Sequence, residues 1–360
     1  MFVELFKEME KQGHEQVLFF QEQKTGLKAI IAIHDTTLGP ACGGCRMWPY
    51  EKEEDALSDV LRLSKGMTYK SAIAETELGG GKTVIWGNPR QDKREGLFRA
   101  MGRFINGLGG RYSTGTDVGT TADDFVVLRK ETAYVAALPK EYGGSGDSSI
   151  PTSYGVYQGL RACVKFRYGR DSMEGLTVAL QGLGKVGLKL AGQLLDDGCR
   201  VIGTDIKEEY LDRAREIGVE IVGTEQIYDV KCHIFSPNAL GAVINDDTID
   251  RLQCEIIAGA ANNVLTEPHH GKRLHQMGIL YAPDYVINGG GLIQVADEIL
   301  HDTYSEERVI KKCEGIYRQL LEIFRISKER DIPTYLAADH MVEERLATIT
   351  AISTIRAKMG

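Results

Sequence analysis

The chain has 360 residues, of which 42% are hydrophobic and 26% charged, and its formal net charge is −8. This composition is typical of a folded globular protein long enough for two domains, and the acidic balance excludes nucleic-acid binding through bulk charge. We expect no membrane span and no signal peptide, because the apolar runs are short and residues 1–11 are charged. The seven scattered cysteines predict free thiols and a cytoplasmic protein.

The first part of the chain predicts a mixture of helices and strands. Apolar residues at helical spacing predict four helices, over residues 2–11, 54–67, 94–108 and 122–137. Two strand-like runs are expected at 15–21 and 28–34. The segment 71–85 is mixed, and its three consecutive glycines are expected to interrupt it where the backbone packs against a ligand or another chain segment.

The rhythm changes after the Gly- and Ser-rich segment 142–149, which predicts a linker. Short apolar strands then alternate with helical stretches, and they are predicted at 177–181, 200–204, 220–222, 233–236 and 256–259. This alternation is typical of βαβ units in a parallel sheet. Two amphipathic helices are expected towards the C-terminus, over 304–328 and 341–358.

A dinucleotide fingerprint follows the first strand of the second part. It reads Gly182-Leu183-Gly184-Lys185-Val186-Gly187. In such a motif Gly182 permits the tight turn, Gly184 lets the backbone approach a pyrophosphate, and Gly187 lets the following helix pack on the strand. The alternative is a tight glycine turn with no ligand.

Asp205 strengthens the dinucleotide interpretation. It ends the next predicted strand, eighteen residues after Gly187. Its carboxylate can accept a hydrogen bond from the adenosine ribose 2′-hydroxyl and would repel a 2′-phosphate. The sequence therefore predicts a cofactor site that favours NAD over NADP.

Two lysines and an aspartate in Gly-rich surroundings are the candidate chemical groups of the first part. Lys82 follows the three glycines directly, and burial there would disfavour its charged form and make it usable as a base. Lys70 is suited to hold a carboxylate, and Asp117 can shuttle a proton to or from an amine. For each residue taken alone, a surface ion pair is the alternative.

These motifs resemble the glutamate, leucine, phenylalanine and valine dehydrogenase family. The matching stretches are residues 26–35, 38–47, 64–70, 79–85, 115–121, 182–187, 258–263 and 281–298. The resemblance implies NAD-dependent, reversible oxidative deamination of an L-amino acid to a 2-oxo acid, ammonia and NADH. It also implies a homo-oligomer, an octamer or a dimer, whose only other partners are these small molecules.

The resemblance implies roles for single residues. Lys82 would be the catalytic base that activates water, and Asp117 would relay protons. Substrate-binding positions would be Gly43, Gly44, Lys70, Gly115, Asn262 and Leu292. Positions on the cofactor, besides the fingerprint and Asp205, would be Arg46, Ser148, Thr152, Ala239 and Leu240.

Two of these positions bear on substrate choice. Leucine-type members of the family have alanine at position 115 and valine at position 292. This chain has Gly115 and Leu292, and in this it resembles the phenylalanine-type members. Removing a methyl group at 115 leaves more room for a ring. We therefore expect L-phenylalanine as the substrate, with a branched-chain leucine or valine dehydrogenase as the alternative. A non-catalytic NAD-binding sensor on the same scaffold is a further alternative of a different class.

The expected architecture is α/β, with two domains separated by a cleft. Residues 1–137 plus 329–360 would form a substrate-binding, catalytic and oligomerisation domain, and residues 138–328 a Rossmann-type domain. No metal site is expected, because Cys42-Gly43-Gly44-Cys45 lacks the other two ligands of a zinc site. His269 and His270 are expected at the solvated surface.

Overall fold

The structure is a computed structural model that describes residues 4–357, so Phe2 and Val3 of the first predicted helix lie outside the described residues. It contains two compact units. Unit 1 comprises the chain up to Asp147, Gln294–Ser305 and the chain from Val342 onward, and unit 2 comprises Ser148–Ile293 and Glu306–Met341.

Unit 1 is built on a five-stranded mixed sheet. Its strands are β1 (Gln16–Glu22), β2 (Leu27–Asp35), β3 (Ala41–Trp48), β4 (Gly79–Trp86) and β5 (Tyr112–Thr116). The spatial order is β1-β2-β4-β3-β5, in which β2 is antiparallel to β1 and β4, whereas β3 is parallel to β4 and β5. Strand β3 therefore lies between the two strands that lead to the candidate chemical groups.

Helices cover both faces of this sheet. They are α1 (Leu5–Gln12), α2 (Glu53–Ile73), α3 (Glu95–Asn106) and α4 (Ala122–Arg129). Alternate residues of a strand point to opposite faces, so Ile31 and Ile33 of β2 pack in the core with α3 and α4. Ile30 and Ala32 pack in the second core with α2.

Three predictions for unit 1 need correction. Gly79-Gly80-Gly81 does not interrupt the regular secondary structure. These glycines form the start of β4, where they pack against neighbouring segments. The predicted helix over 122–137 ends at Arg129, and Val135 lies in a bridge to Thr114. Strand β3 was not predicted, since its Gly-rich sequence has no alternation of apolar and polar residues.

Unit 2 contains a six-stranded parallel sheet. Its strands are β6 (Thr177–Gln181), β7 (Arg200–Thr204), β8 (Glu220–Ile221), β9 (Ile234–Pro237), β10 (Ile256–Ile257) and β11 (Leu280–Tyr281). The order β11-β10-β9-β6-β7-β8, with every neighbouring pair parallel, is the Rossmann order with its reversal between β6 and β9. The α/β prediction with a Rossmann-type second domain is confirmed.

The remaining helices follow the βαβ alternation and then continue to the C-terminus. They are α5 (Ser149–Tyr168), α6 (Lys185–Asp196), α7 (Glu208–Glu216), α8 (Pro268–Gln276), α9 (Asp284–Ile287), α10 (Gly290–Leu300), α11 (Glu306–Cys313), α12 (Gly315–Arg330) and α13 (Thr334–Ala357). The single helix predicted over 304–328 is thus two helices, α11 and α12. Within the described residues, none of the helices combines the length and apolarity that a bilayer crossing requires.

The bounds of the units differ from the predicted division at residues 138–147, 294–305 and 329–341. Glu298 accounts for the first two segments, because its Oε2 accepts hydrogen bonds from Ala137 N at 3.2 Å and from Ser145 Oγ at 2.7 Å. In the third segment, Thr334 Oγ1 donates to the carbonyl of Tyr281 at 2.6 Å, which ties the start of α13 to unit 2.

Candidate functional site

Lys82 and Asp117 form a close ion pair in unit 1. Lys82 lies in β4 with 6% of its surface exposed, and its Nζ is 2.9 Å from Oδ2 of Asp117, which follows β5. Thr83 of β4 and Thr116 of β5 both pair with Cys45 of β3, so Lys82 and Asp117, 35 positions apart in sequence, lie near the same level of the sheet. For these two residues the surface ion pair is therefore the weaker interpretation.

Glycines in β3 make room for this pair. A Cβ on Gly44 would lie 2.8 Å from Cβ of Asp117 and 3.2 Å from Nζ of Lys82. A Cβ on Gly43 would lie 1.7 Å from the carbonyl oxygen of Gly81. Any side chain at either position would displace β4 or the ion pair, so the glycines are a steric requirement of the site.

Arg46 shares the carboxylate with Lys82. Its Nε donates to the same Oδ2 of Asp117 at 3.1 Å, from β3. Burial alone would raise the pKa of the Asp117 carboxyl, but the charge and hydrogen bond of Lys82 and the charge of Arg46 outweigh it and hold that pKa below its usual range. The Asp117 carboxyl is therefore an anion at neutral pH.

A second carboxylate holds the other side of Arg46. Asp59 of α2 accepts from Nη1 of Arg46 at 2.8 Å and from the hydroxyl of Tyr50 at 2.7 Å, both at Oδ2. Its Oδ1 accepts from Nη2 of Arg62 at 2.8 Å. Sequence reasoning missed Asp59 and Tyr50, because no spacing rule connects residues of α2 and β3 before the fold is known.

The other predicted substrate residues of unit 1 lie in the elements that flank the pair. Lys70 is half-buried in the last turn of α2. Gly115 is buried in β5, and a Cβ there would meet only the carbonyl oxygen of Ala136 and Cβ of Ala137, both at 3.7 Å. Unlike Gly43 and Gly44, Gly115 therefore has space for a methyl group.

The fingerprint of unit 2 forms the predicted turn between β6 and α6. Gly182 has φ +99°, which favours glycine, and a Cβ on Gly187 would lie 2.1 Å from the carbonyl oxygen of Gly182. A Cβ on Gly184 would meet nothing closer than Tyr210 at 4.0 Å. The fold thus requires glycine at 182 and 187, whereas the space at Gly184 is open, as a bound pyrophosphate requires.

The rest of the loop fits a dinucleotide as well. Leu183 is buried, Val186 half-buried and Lys185 exposed, at the positively polarised start of α6. Asp205 follows β7, where its Oδ2 accepts from the backbone N of Leu183 at 2.8 Å and its Oδ1 from the N of Lys207 at 3.0 Å. The carboxylate is therefore fixed beside the turn in the orientation that a ribose hydroxyl would meet.

The other predicted cofactor residues of unit 2 occupy loops and a helix start. Ser148 is the N-cap of α5, and its carbonyl accepts from Thr152 Oγ1 at 2.8 Å. A Cβ on Gly182 would lie 2.7 Å from Cβ of Ala239, and Leu240 beside Ala239 is 77% exposed. Both follow β9, at the reversal of strand order where nucleotides bind in such sheets.

Two predicted substrate residues also belong to unit 2. Asn262 is exposed, and its Oδ1 accepts from Nδ2 of Asn288 at 2.7 Å, which orients the amide. Leu292 is 7% exposed in the first turn of α10.

One expectation about the histidines is wrong. His270 is buried rather than solvated, and its Nδ1 accepts from the backbone N of Glu267 at 3.1 Å, where it caps α8. Its Nε2 therefore carries the proton of the neutral ring and donates it to Asp246 at 3.2 Å. Although His269 lies close enough to complete a metal-ligand triad with these residues, the Nε2 lone pair of His270 is not free for a metal.

Comparison with known proteins agrees with this geometry. Residues 14–137 match the family model "Glu/Leu/Phe/Val dehydrogenase, dimerisation domain", and residues 206–351 match "Glutamate/Leucine/Phenylalanine/Valine dehydrogenase". The chain is 55% identical to a leucine dehydrogenase of Thermoactinomyces intermedius over 345 residues, or 96% of this chain and 94% of that protein. It is 50% identical to a phenylalanine dehydrogenase of the same organism over 360 residues, or 98% and 96%.

A solved structure is similar along the whole chain. It is the crystal structure of L-tryptophan dehydrogenase from Nostoc punctiforme, with a TM-score of 0.86 and 45% sequence identity, covering 96% of this chain and 99% of that one.

Proposed function

Because the chain belongs to the glutamate, leucine, phenylalanine and valine dehydrogenase family, we propose that it catalyses the reversible oxidative deamination of L-phenylalanine to phenylpyruvate and ammonia. The chain is an amino-acid dehydrogenase, and its cofactor is NAD. The proposal concerns the substrate and the residues that act on it. The observation that carries the residue assignment is the buried pair of Lys82 and Asp117.

We assign proton transfer to this pair. A lysine that is 6% exposed and shares its carboxylate with an arginine can exchange a proton without leaving an unpaired anion. Lys82 takes a proton from the water that attacks the imine carbon, and Asp117 moves protons to and from the substrate nitrogen. The bound cofactor supplies the hydride acceptor.

Substrate and cofactor binding are assigned to single residues by resemblance. Lys70 and the backbone N–H groups of Gly43 and Gly44 hold the carboxylate, which fixes the Cα–H bond. Asn262 holds the amino group. On the cofactor side the fingerprint binds the pyrophosphate and Asp205 the adenosine ribose. By resemblance, Arg46, Ser148 and Thr152 act at the nicotinamide half, with Ala239 and Leu240 at the ribose.

Phenylalanine is favoured by the space at Gly115. An added methyl group would touch only atoms 3.7 Å away, so its absence leaves a volume that a larger side chain can use. Leu292 is the second position that resembles phenylalanine-type members. We also propose that the enzyme is a cytoplasmic homo-oligomer, since residues 14–137 match a dimerisation domain and all seven cysteines are free thiols.

Leucine or valine is the second candidate substrate. It is favoured by the 55% identity to a leucine dehydrogenase, against 50% to the phenylalanine dehydrogenase of the same organism. The test is NADH formation at 340 nm with L-Phe, L-Tyr, L-Trp, L-Met, L-Leu and L-Val. The highest kcat/KM on L-Phe supports the first proposal, whereas the highest value on L-Leu or L-Val transfers it to the second.

A double variant tests the two specificity positions. Gly115→Ala with Leu292→Val is expected to lower the ratio of kcat/KM for Phe over Leu by about 10-fold, the usual value of a few methylene contacts in a pocket. The fit of alanine at 115 predicts that Gly115→Ala alone leaves the melting temperature unchanged. A Phe/Leu ratio equal to that of the parent would remove both residues from the pocket.

A further inference from the structure

Asp59 is a half-buried carboxylate that lies outside every residue set assigned above. Its side chain is 16% exposed, and it accepts three hydrogen bonds from side chains, two at Oδ2 and one at Oδ1. Hydrogen bonds from Tyr50 and the charge of Arg46 more than offset burial, so the pKa of Asp59 is held below its usual range. It is therefore a fixed negative charge next to the site.

The fork of Arg46 links this charge to the pair of Lys82 and Asp117. Its Nε reaches Asp117 at 3.1 Å while its Nη1 reaches Asp59 at 2.8 Å, so one planar group spans two carboxylates. A guanidinium is rigid, and its orientation is set by the acids at both ends. While Nη1 of Arg46 is bonded to Asp59, Nε of Arg46 donates to Oδ2 of Asp117, the same oxygen that Lys82 contacts.

We infer that Asp59 is a positioning residue of the active site, which holds Nη1 of Arg46 and so limits Arg46 to a single contact with Asp117. This inference rests on the proposed role of Lys82 and Asp117. Without the charge of Asp59, Arg46 would turn both arms of its fork onto Asp117 and compete with Lys82 for it. The position and the charge balance of the proton-transfer pair would both change.

The charges around Lys82 come from several elements. The groups that bear on it are Asp117 after β5 and Cys42 and Cys45 in β3, with Arg46 of β3 acting through Asp117 and Tyr112 of β5 through the two thiols. Burial raises the pKa of the Cys42 thiol to about 12 and raises those of Cys45 and Tyr112 further, so these three remain neutral over the working range. Asp59 contacts the far side of Arg46, and Tyr50 and Arg62 in turn donate hydrogen bonds to Asp59.

Asp59→Asn tests the inference because it keeps the shape and removes the charge. We expect kcat to fall about 10-fold, as a small misplacement of catalytic groups does. Loss of one negative charge leaves the site more positive, so the rise of kcat/KM with pH is expected to begin about half a unit lower. Arg62→Ala is the matched control, since Arg62 is 57% exposed and bonds only the other oxygen of Asp59.

Several outcomes would overturn the inference. A folded Asp59→Asn enzyme with the parent kcat, or one with lower kcat but an unmoved pH profile, leaves Asp59 with at most a structural role. If Asp59→Asn fails to fold, Tyr50→Phe decides, because it removes one bond to the same oxygen; about a threefold loss of kcat supports the inference, and full activity refutes it.

A second readout does not depend on turnover. Trace acetylation of Lys82 with acetic anhydride, followed by peptide mass spectrometry across pH, reports how readily that amine is deprotonated. The inference predicts that labelling rises at lower pH in Asp59→Asn than in the parent. A parent chain that deaminates no amino acid defeats the proposed function, and the labelling profiles still decide whether Asp59 controls Lys82.

Discussion

The two candidate sites of this protein are built in opposite ways. In unit 1 the site consists of side-chain charges from several strands and a helix, among them Lys82, Asp117, Arg46 and Asp59. In unit 2 the site consists mainly of backbone in six consecutive residues, 182–187, supported by Asp205. The first kind transfers protons and depends on charge balance, whereas the second binds an anion with N–H groups and needs open space. Substitutions should therefore damage them in different ways.

The largest expected effect breaks the chemistry of unit 1 alone. Lys82→Ala is expected to lower kcat by about 10²- to 10⁴-fold, the usual contribution of a positioned general base. Because the fingerprint is unaffected, NAD should bind with its parent affinity, measured by quenching of protein fluorescence. Near-normal turnover in a folded Lys82→Ala enzyme would sink the assigned role, and lost NAD binding would contradict the assignment of NAD binding mainly to the fingerprint.

An intermediate effect separates binding from folding within unit 2. Gly184→Ala should leave the melting temperature unchanged, because its Cβ meets nothing within 4.0 Å except Tyr210. It should weaken NAD binding by roughly 10- to 100-fold, since the added methyl group would occupy the space of the pyrophosphate. Such a steric conflict costs about 1–3 kcal/mol of binding free energy.

Gly187→Ala is the matched control for that variant. Its Cβ would lie 2.1 Å from the carbonyl oxygen of Gly182, so the turn itself must shift and the melting temperature should fall. Equal melting temperatures and equal NAD affinities for the two variants would show that the open space at Gly184 is not a ligand site.

The last expected effect concerns stability rather than activity and belongs to unit 1. His14 is buried, its Nε2 lies 2.9 Å from Ser64 Oγ, and its Nδ1 has no hydrogen-bond partner among the described residues. Burial and the adjacent His34 lower the pKa of His14 to about 4, whereas the unfolded residue titrates near 6.5. The unfolded chain thus binds more protons between these values, and the folded state loses up to about 3 kcal/mol as pH falls through that window.

Urea unfolding at pH 7 and pH 4.5 measures this loss. His14→Asn should flatten the pH dependence, whereas His269→Gln, at an exposed position, should retain it. An unaltered slope in His14→Asn would assign the acid sensitivity to other groups.

Sequence reasoning reached the Rossmann unit and its fingerprint because both depend on local order. Strands β6 and β7 were predicted at their observed bounds, and the spacing from Gly187 to Asp205 is a property of one βαβ unit. Strand β3 was not predicted, since a Gly-rich strand shows no period of two. Strand β11 was also missed, although the equally short strands β8 and β10 were predicted.

In unit 1 the sequence indicated Lys82 and Asp117 as residue types but not their 2.9 Å contact. That contact depends on β3 lying between β4 and β5, which is a property of the sheet and not of any segment. Asp59 had no signal at all, because an aspartate on the polar side of an amphipathic helix is ordinarily solvated.

The four glycines of β3 and β4 that surround Lys82 in the strands have a consequence for engineering. Saturation mutagenesis at Gly43, Gly44, Gly80 or Gly81 offers no alternative residue, because every added Cβ would lie within 3.0 Å of a neighbouring atom. Gly115 has 3.7 Å of clearance in the same unit. A search for new substrate preferences at the proposed pocket should therefore vary Gly115 and keep these four glycines constant.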